Sequence, residues 1–288
     1  MEDTKQQRFK YSWEEAVEIL RRDPEHQELI YNTYLTDGLA GNCERFFSSA
    51  EFDSVRKLLE QHAPGKRILD MPAGNGIATY SFAKSGFEVV AVDPDPSETV
   101  GRGAIEKVLS DAGLHAEIVG AYGENLPFPP GSFDAVYVRQ GLHHAANLPR
   151  MLEEIARVMR PGGVLLACRE HVVDNYEESL QTFLDSQVDH QLYGGEHAFT
   201  LQDYRSAIVS SGLTMVNEMD PFDSIVNMFP HSPEALNKKI LQSRPGRFLL
   251  FFLREQMVIK IGIWWARRRP SPGCLYSFLA IKRAETSL

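Results

Sequence analysis

The stretch RILDMPAGNGIA, residues 67–78, decides the fold because it predicts a strand, a tight loop and the start of a helix. Gly74 and Gly76 lack a Cβ, so the backbone of the loop can approach a ligand closely. Asp70 ends the strand, at the edge where open α/β sheets bind their ligands. A tight turn capped by a buried aspartate is the alternative interpretation of the same residues.

The spacing of the glycines separates two classes of cofactor. A dinucleotide fingerprint reads G-x-G-x-x-G, but the third position counted from Gly74 is Thr79. A pyrophosphate would meet a like charge at Asp70, whereas a ligand that carries an ammonium and a sulfonium would be attracted to it. S-adenosylmethionine carries both groups, and the loop therefore favours it over a nicotinamide dinucleotide.

A second acidic residue supports this interpretation. Asp93 ends the apolar run VVAVD, 17 positions after Gly76. A carboxylate at the end of the second strand can accept hydrogen bonds from both ribose hydroxyls of a cofactor. The alternative is an aspartate that only caps the following segment, which Pro94 and Ser97 would also permit.

Strands and helices alternate along the middle of the chain, which predicts a doubly wound α/β fold with a mostly parallel, seven-stranded sheet. The predicted strands are residues 67–70, 88–92, 116–119, 133–138, 164–168, 213–219 and 275–281. Residues 13–22, 27–36 and 51–61 have apolar residues at helical spacing. We expect an N-terminal helical lid (1–63), a core (64–171, 200–220, 272–284) and inserted segments (172–199, 221–271) that cover the acceptor pocket. The second insertion is helical.

Four motifs in this order resemble class I methyltransferases of the broad group that handles small molecules, lipids and quinones. They are LDMPAGNG, VVAVD, ENLPFPPGSFDAVYVRQGLHH and LPRMLEEIARVMRPGGVLL, within residues 65–168. The resemblance implies S-adenosylmethionine as cofactor and S-adenosylhomocysteine as product. It also implies a set of cofactor-binding residues: Asp70, Ala73, Gly74 and Gly76 at the methionine end, Asp93 at the ribose, Pro94, Gly123 and Glu124 around the adenine, and Arg139 beside the methionine.

Two positions depart from the pattern of the family. Pro72 stands where the family usually has glycine, and it stiffens the loop and removes a donor. Tyr122 stands where an aspartate often accepts from the adenine amino group. Neither change removes Asp70, Gly74, Gly76 or Asp93, so only the adenine contact is put in doubt.

The loop VRQGLHH, residues 138–144, follows the fourth predicted strand, where such enzymes hold their acceptor. It contains neither an Asn/Asp-Pro-Pro-Tyr motif nor a carboxylate suited to magnesium, so we expect no metal site and a metal-independent reaction. Histidine is the natural base near neutral pH. His143, His144 and His171 are therefore the candidate catalytic residues, with structural packing as the alternative.

Two residues of the N-terminal helices are further candidates for cofactor contacts. Helices that precede such a core close over the cofactor in related enzymes and exclude water. Tyr34 lies in this segment, and Arg45 could pair with the methionine carboxylate. A surface ion pair is an equally good interpretation of Arg45.

The segment 238–269 is both basic and apolar, with nine Lys or Arg and one acidic residue, Glu255. Three interpretations compete. In the first, the segment is a helical cover whose apolar face builds the acceptor pocket. In the second, its positive charge binds an anionic acceptor. In the third, it is an amphipathic helix that lies on a membrane surface. The first is favoured, and contact with a membrane through residues 246–269 is less favoured.

Composition narrows the function further. The net charge of −9 argues against general nucleic-acid binding. The three cysteines are far apart, and the first twenty residues lack the apolar core of a signal peptide, so we expect a cytoplasmic protein with a small-molecule partner. The oligomeric state is not specified.

The sequence thus predicts a metal-independent methyltransferase that acts on a small molecule, with O-methylation of a sugar or natural-product hydroxyl as the main interpretation. Methylation of a lipid, phosphorylated or isoprenoid-type acceptor, with carbon as a possible target, is the alternative. A nicotinamide-dependent oxidoreductase is a distant one, and a cofactor-binding protein without catalysis is a third.

Overall fold

A computed structural model describes residues 10–174, 177–268 and 271–283. Parts of the predicted segments, among them Arg269 and Pro270 of the basic region, lie outside these residues. The described residues form eight strands: β1 Arg67–Asp70, β2 Glu88–Val92, β3 Glu117–Val119, β4 Phe133–Arg139, β5 Met159–Val173, β6 Phe199–Thr200, β7 Leu213–Met219 and β8 Cys274–Lys282.

Seven of the strands form one continuous sheet in the order β3-β2-β1-β4-β5-β8-β7, and the two-residue β6 pairs with β5. β1 to β5 run parallel to one another, whereas β8 runs antiparallel to both β5 and β7. The predicted fold, a mostly parallel seven-stranded sheet in an α/β protein, is confirmed. The order places the carboxyl ends of β1, β2 and β4 side by side.

Helices cover both faces of the sheet. They are α1 Trp13–Arg22, α2 Gln27–Asn32, α3 Leu39–Phe47, α4 Ala50–His62, α5 Ile77–Lys84, α6 Arg102–Ala112, α7 Leu148–Val158, α8 Glu178–Ser186, α9 Val188–Leu192, α10 Leu201–Ser210, α11 Ile225–Met228, α12 Pro233–Gln242, α13 Arg244–Leu249 and α14 Glu255–Arg267. Short 3-10 turns span Pro24–His26 and Leu142–His144.

Two apolar layers sandwich the sheet because successive strand residues point to opposite faces. Ile68 of β1 packs in the layer that contains Phe46 of α3 and Phe82 of α5. The next residue, Leu69, packs in the other layer, with Leu152 of α7 and Ile208 of α10. The core is therefore built by both faces of the same strands.

The N-terminal helices belong partly to this core. Phe46 and Phe52 are buried, and the rings of Phe52 and Phe82 lie 5.3 Å apart between centroids. The segment predicted as a lid thus anchors α3 and α4 against α5. Helix α3 is absent from the sequence expectation because its polar residues interrupt the apolar spacing.

Strand β5 is longer than the predicted strand 164–168. It begins at Met159 and continues to Val173, and its last residues pair with β8 from Glu170↔Tyr276 to Val172↔Cys274. The register shifts between Ala167 and Glu170, where Arg169 has φ +62°. This part of the strand was not predicted because Arg169-Glu170-His171 is polar and interrupts the apolar pattern, although Glu170 is fully buried.

Candidate active site

The glycine loop between β1 and α5 is joined to the end of β2. Gly74 (φ +53°) and Gly76 (φ +85°) adopt left-handed backbone conformations that favour glycine. The Gly74 N–H donates to Asp93 Oδ2 at 2.7 Å, and the Asp95 N–H donates to Asp93 Oδ1 at 2.9 Å. Burial raises the pKa of Asp93 to about 6, against the lowering effect of these two donors. The carboxylate predicted to hold a ribose is thus fixed beside the loop.

Asp70 is buried directly under the same loop. Thr79 Oγ1 donates to Asp70 Oδ2 at 2.6 Å, so the residue that breaks the dinucleotide fingerprint stabilises this carboxyl group. Burial raises the pKa of Asp70 to about 7, and the charge of Asp93 acts in the same direction. A cation bound between the two carboxylates would offset their repulsion.

A cavity of about 90 Å³ opens beside these carboxylates. It brings together three residues that the sequence assigns to the adenine region, Pro94, Gly123 and Glu124, with Tyr122 and His144. The Glu124 side chain accepts from the backbone N–H groups that precede α7, at 2.9 and 3.3 Å. Its backbone rather than its carboxylate is therefore the part available to a ligand.

Pro72, the departure from the family pattern, forms part of the cavity wall. It follows Met71 through a cis peptide bond and packs against Gly141. A Cβ on Gly141 would overlap Pro72 Cδ and would lie 2.8 Å from Val138 Cγ1. The bulk of Pro72 is thus accommodated by a glycine in the acceptor loop.

Tyr34 touches the glycine loop through its backbone. The Asn75 side-chain amide donates to the Tyr34 carbonyl oxygen at 2.7 Å. The Tyr34 ring is buried, and it stacks on Phe229 and meets Phe46 edge-on, each at 5.5 Å between centroids. The structure therefore brings the N-terminal segment to the loop, with the Tyr34 ring directed into the core.

The two predicted arginines already have partners. Arg139 Nε and Nη2 donate to the Glu51 carboxylate at 2.7 and 3.2 Å. Arg45 donates to the Tyr31 carbonyl oxygen at 3.0 Å and to Asn42 Oδ1 at 2.8 Å. A methionine carboxylate would have to share these guanidinium groups, and Glu51 is a site residue that sequence reasoning missed.

The three candidate histidines form one cluster at the ends of β4 and β5. The His143 and His144 rings lie 4.2 Å apart between centroids, and the His143 and His171 rings 4.7 Å apart. His143 Nδ1 donates to Glu170 Oε2 at 2.8 Å, and His143 Nε2 lies 3.5 Å from Glu196 Oε2. Both carboxylates were missed from the sequence because they are distant from His143 along the chain.

The pKa values of the three histidines are shifted in different directions. Burial lowers the pKa of His143, but the hydrogen bonds and charges of Glu170 and Glu196 outweigh it and raise the pKa to about 9. Burial and the charge of His143 lower the pKa of His171 to about 4. Burial also lowers the pKa of His144. The space between Glu170 and Glu196 thus favours a positive charge.

Helix α1 contacts two segments that are distant along the chain. The rings of Trp13 and Tyr193 lie 5.5 Å apart between centroids, and Thr99 Oγ1 donates to Glu14 Oε1 at 2.7 Å. The first helix thus contacts both the segment after Asp93 and the segment that carries Glu196.

Comparisons with known proteins agree with this geometry. Residues 69–167 match the family model of the methyltransferase domain. Demethylmenaquinone methyltransferases are similar: that of Corynebacterium kroppenstedtii is 34% identical over 141 residues, 48% of this chain and 53% of the relative, and that of Mycobacterium tuberculosis is 40% identical over 105 residues, 36% and 41%. The chain therefore spans about half the length of the curated relatives it matches.

Solved structures share the fold. A putative sarcosine dimethylglycine methyltransferase from Galdieria sulphuraria has a TM-score of 0.55 at 20% identity, covering 80% of this chain and 83% of the other. Haemonchus contortus phosphoethanolamine N-methyltransferase 2, in complex with S-adenosylmethionine, has a TM-score of 0.54 at 18% identity, covering 90% and 60%. At these identities the solved structures show the fold alone, and the match over residues 69–167 identifies that part of the chain as a class I methyltransferase domain.

Proposed function

We propose that the protein transfers a methyl group from S-adenosylmethionine to a small-molecule acceptor. The observation that carries this proposal is the Asp93 carboxylate, held at the end of β2 by the N–H groups of Gly74 and Asp95 next to a cavity. A carboxylate in this position can still accept from two ribose hydroxyls, because each oxygen has a second lone pair.

The remaining cofactor contacts follow from this placement. Asp70, Ala73, Gly74 and Gly76 would surround the methionine end, where the two buried carboxylates attract a cation. Pro94, Gly123 and Glu124 would border the adenine in the cavity. Tyr34, Arg45 and Arg139 would act at the lid, with Arg139 shared between Glu51 and the methionine carboxylate.

A nicotinamide dinucleotide fits these residues less well. Its pyrophosphate would approach Asp70 and Asp93, and the charge of Asp93 already raises the pKa of Asp70. Thr79 stands where a dinucleotide-binding loop has its third glycine, and its side chain hydrogen-bonds to Asp70. We therefore do not favour the oxidoreductase.

For the acceptor, we propose a lipid or isoprenoid-type molecule, which is the alternative that the sequence left open. The demethylmenaquinone methyltransferases among the relatives support this class. So does an aromatic-basic surface on α13, α14 and the turn between them. It consists of Phe248, Phe251, Phe252, Trp264 and Trp265 with Arg247, Arg254 and Lys260.

The exposure of this surface distinguishes among the three interpretations of the basic segment. Phe251 is 83% and Phe252 73% exposed, and Trp265 is 58% exposed. Rings that build a pocket would be buried, whereas rings beside exposed Arg and Lys suit the boundary of an anionic membrane. Among the described residues, no helix is long and apolar enough to cross a membrane.

The main interpretation of the sequence, a hydroxyl of a sugar or natural product, remains a second candidate. The histidine cluster favours it, because O-methylation needs a group that removes the hydroxyl proton. His144 lines the cavity, and its Nδ1 donates to the Gly195 carbonyl oxygen at 2.8 Å, which leaves Nε2 as an acceptor.

Transfer of labelled methyl groups tests the reaction and the acceptor class together. We expect incorporation from S-adenosylmethionine into demethylmenaquinone dispersed in detergent. Incorporation into a nucleotide-linked sugar alone would favour the second candidate. No transfer to acceptors of either class, by a protein that binds the cofactor, would contradict the proposed reaction.

Sedimentation with lipid vesicles tests the aromatic-basic surface. We expect binding to vesicles that contain phosphatidylserine, and a loss of about tenfold or more in Phe251→Ser/Phe252→Ser, since burying one such ring contributes about 1.5–3 kcal/mol. Val209→Ser, which changes an exposed apolar residue on α10, is the matched control. Absence of vesicle binding by the unmodified protein would contradict the membrane contact.

A further inference from the structure

The geometry points to a divalent metal site formed by His143, His171 and Glu196. One ligand atom from each residue lies within 4.8 Å of the others. From the sequence we expected no metal site, because the acceptor loop has no carboxylate suited to magnesium. Ligands at positions 143, 171 and 196 also have no characteristic spacing. The fold brings them together at the ends of β4 and β5.

The distances suit a small ion. Ligand atoms bound to Zn²⁺ at about 2.0–2.2 Å in a tetrahedron lie roughly 3.3–3.5 Å from one another. His143 Nε2 and Glu196 Oε2 are already 3.5 Å apart. The set therefore needs only a contraction of about 1 Å at its longest edge to reach this coordination geometry.

The hydrogen bonds made by Nδ1 of each histidine determine which ring nitrogen would bind the ion. His143 donates its Nδ1–H to the Glu170 carboxylate, and His171 donates its Nδ1–H to the Gly273 carbonyl oxygen, each at 2.8 Å. Both partners accept only, so Nε2 is the nitrogen left for a metal in each ring, and His143, whose pKa is raised to about 9, would release its Nε2 proton when the ion binds. A metal-bound histidine almost always has such a carboxylate or carbonyl partner.

These contacts are also rigid and buried. Glu170 accepts the backbone N–H groups of Gly141 and His143 at 3.0 and 3.1 Å, which ties the acceptor loop to β5. The side chains of His143 and Glu170 are 1% and 0% exposed, and that of Glu196 is 12% exposed. A divalent ion would balance the charges of the two carboxylates once the ligand atoms have moved closer together.

The donor set indicates the class of metal. Two imidazoles and one carboxylate suit Zn²⁺ or a neighbouring transition metal, whereas Mg²⁺ and Ca²⁺ prefer oxygen ligands. His144 lies next to these ligands, because its Nε2 is 3.8 Å from Glu196 Oε1, and it also lines the cavity. The site would therefore adjoin the space proposed for the acceptor.

Calorimetric titration with Zn²⁺, after removal of metals with a chelator, tests the site. We expect one ion per chain, and Co²⁺ in its place should give visible d–d absorption. Glu170→Gln should weaken binding about 10–100-fold, as loss of an outer contact does, and His171→Gln and Glu196→Gln should weaken it more. His115→Gln, at a histidine far along the chain from the cluster, is the matched control and should bind like the unmodified protein.

Far-ultraviolet circular dichroism checks that each variant is folded. If all three cluster variants were unfolded, the titration and the Co²⁺ spectrum of the unmodified protein would still decide the question. Absence of stoichiometric binding, or an equal loss in His115→Gln, would overturn the metal site. Because no methyl donor enters the titration, its outcome is independent of the proposed methyl transfer.

Discussion

The two ends of the candidate site differ in how they are built. The cofactor end is local: the loop after β1 carries Gly74 and Gly76, and Asp93 follows at the end of the next strand. The acceptor end is assembled from distant segments, with His143 joined to Glu170 across 27 positions and to Glu196 beyond that. Contacts within one βαβ unit leave a motif in the sequence, and contacts between separate elements do not.

The largest expected loss of cofactor affinity comes from a substitution in the glycine loop. Gly74→Asp places a side chain at φ +53° and a third carboxylate next to Asp70 and Asp93. The strain of about 1–3 kcal/mol should lower the stability of the fold. The new side chain on the loop surface and its charge should lower the affinity for S-adenosylhomocysteine by more than about 100-fold. Calorimetry measures this loss.

Gly86→Asp is the matched control for that variant. Gly86 also has a positive φ, +80°, and open space where a Cβ would lie, but it is at the opposite end of α5. It should lose a similar amount of stability and keep its affinity. Equal losses of affinity in both variants would mean that strain, rather than the site, explains the effect.

A change at the acceptor end should separate turnover from cofactor binding. His143→Ala removes the residue that joins Glu170 to Glu196, and turnover should fall by about 100-fold, the lower part of the range for acid–base groups. The affinity for S-adenosylhomocysteine should change by less than about twofold, since no cofactor contact is removed. A normal rate would remove His143 from the reaction.

A smaller loss of affinity is expected from a substitution of the carboxylate proposed to hold the ribose. Asp93→Ala should weaken S-adenosylmethionine binding by roughly 1–3 kcal/mol, the range for a hydrogen bond to a charged group. The variant also releases the Gly74 N–H. Asp111→Ala, on the exposed side of α6, serves as the control. Unchanged affinity in Asp93→Ala would contradict the ribose contact.

The smallest expected effect is a dependence on pH. The pKa of Asp93 is raised to about 6 and that of Asp70 to about 7, both by burial. Protonation removes the charge that the ligand needs, so the affinity for S-adenosylhomocysteine should fall about tenfold between pH 7 and pH 5. Stability of the ligand-free protein should change in the opposite direction, since raised carboxyl pKa values favour folding at the lower pH.

Binding measured across this pH range in Asp93→Ala isolates the part due to Asp93. The variant should keep only the dependence that Asp70 produces. An unmodified protein whose affinity is constant from pH 5 to pH 7 would show that neither carboxyl group titrates in this window.

The sequence predicts the fold and the cofactor end because both rest on short-range patterns. The bounds of β1, β2 and β7 are those expected, since each is a run of apolar or alternating residues between turns. The end of β5 was missed because Glu170 is polar and fully buried. Its burial is explained only by the N–H groups of the acceptor loop.

The hydrogen-bonding partners of the predicted site residues could not be predicted from the sequence either. The sequence assigns Arg139 to the methionine end, but its pairing with Glu51 spans 88 positions and has no local signal. Thr79 stands in the motif only as a missing glycine, although it hydrogen-bonds to Asp70. A sequence motif thus identified the groups that face the ligand, and the structure supplied the groups that hold them.

Calorimetric titration of the unmodified protein with S-adenosylhomocysteine, beside a titration with NAD, tests the central claim most directly. We expect one S-adenosylhomocysteine bound per chain, no heat from NAD, and weaker binding in Asp93→Ala. Binding of NAD with no heat from S-adenosylhomocysteine would contradict it.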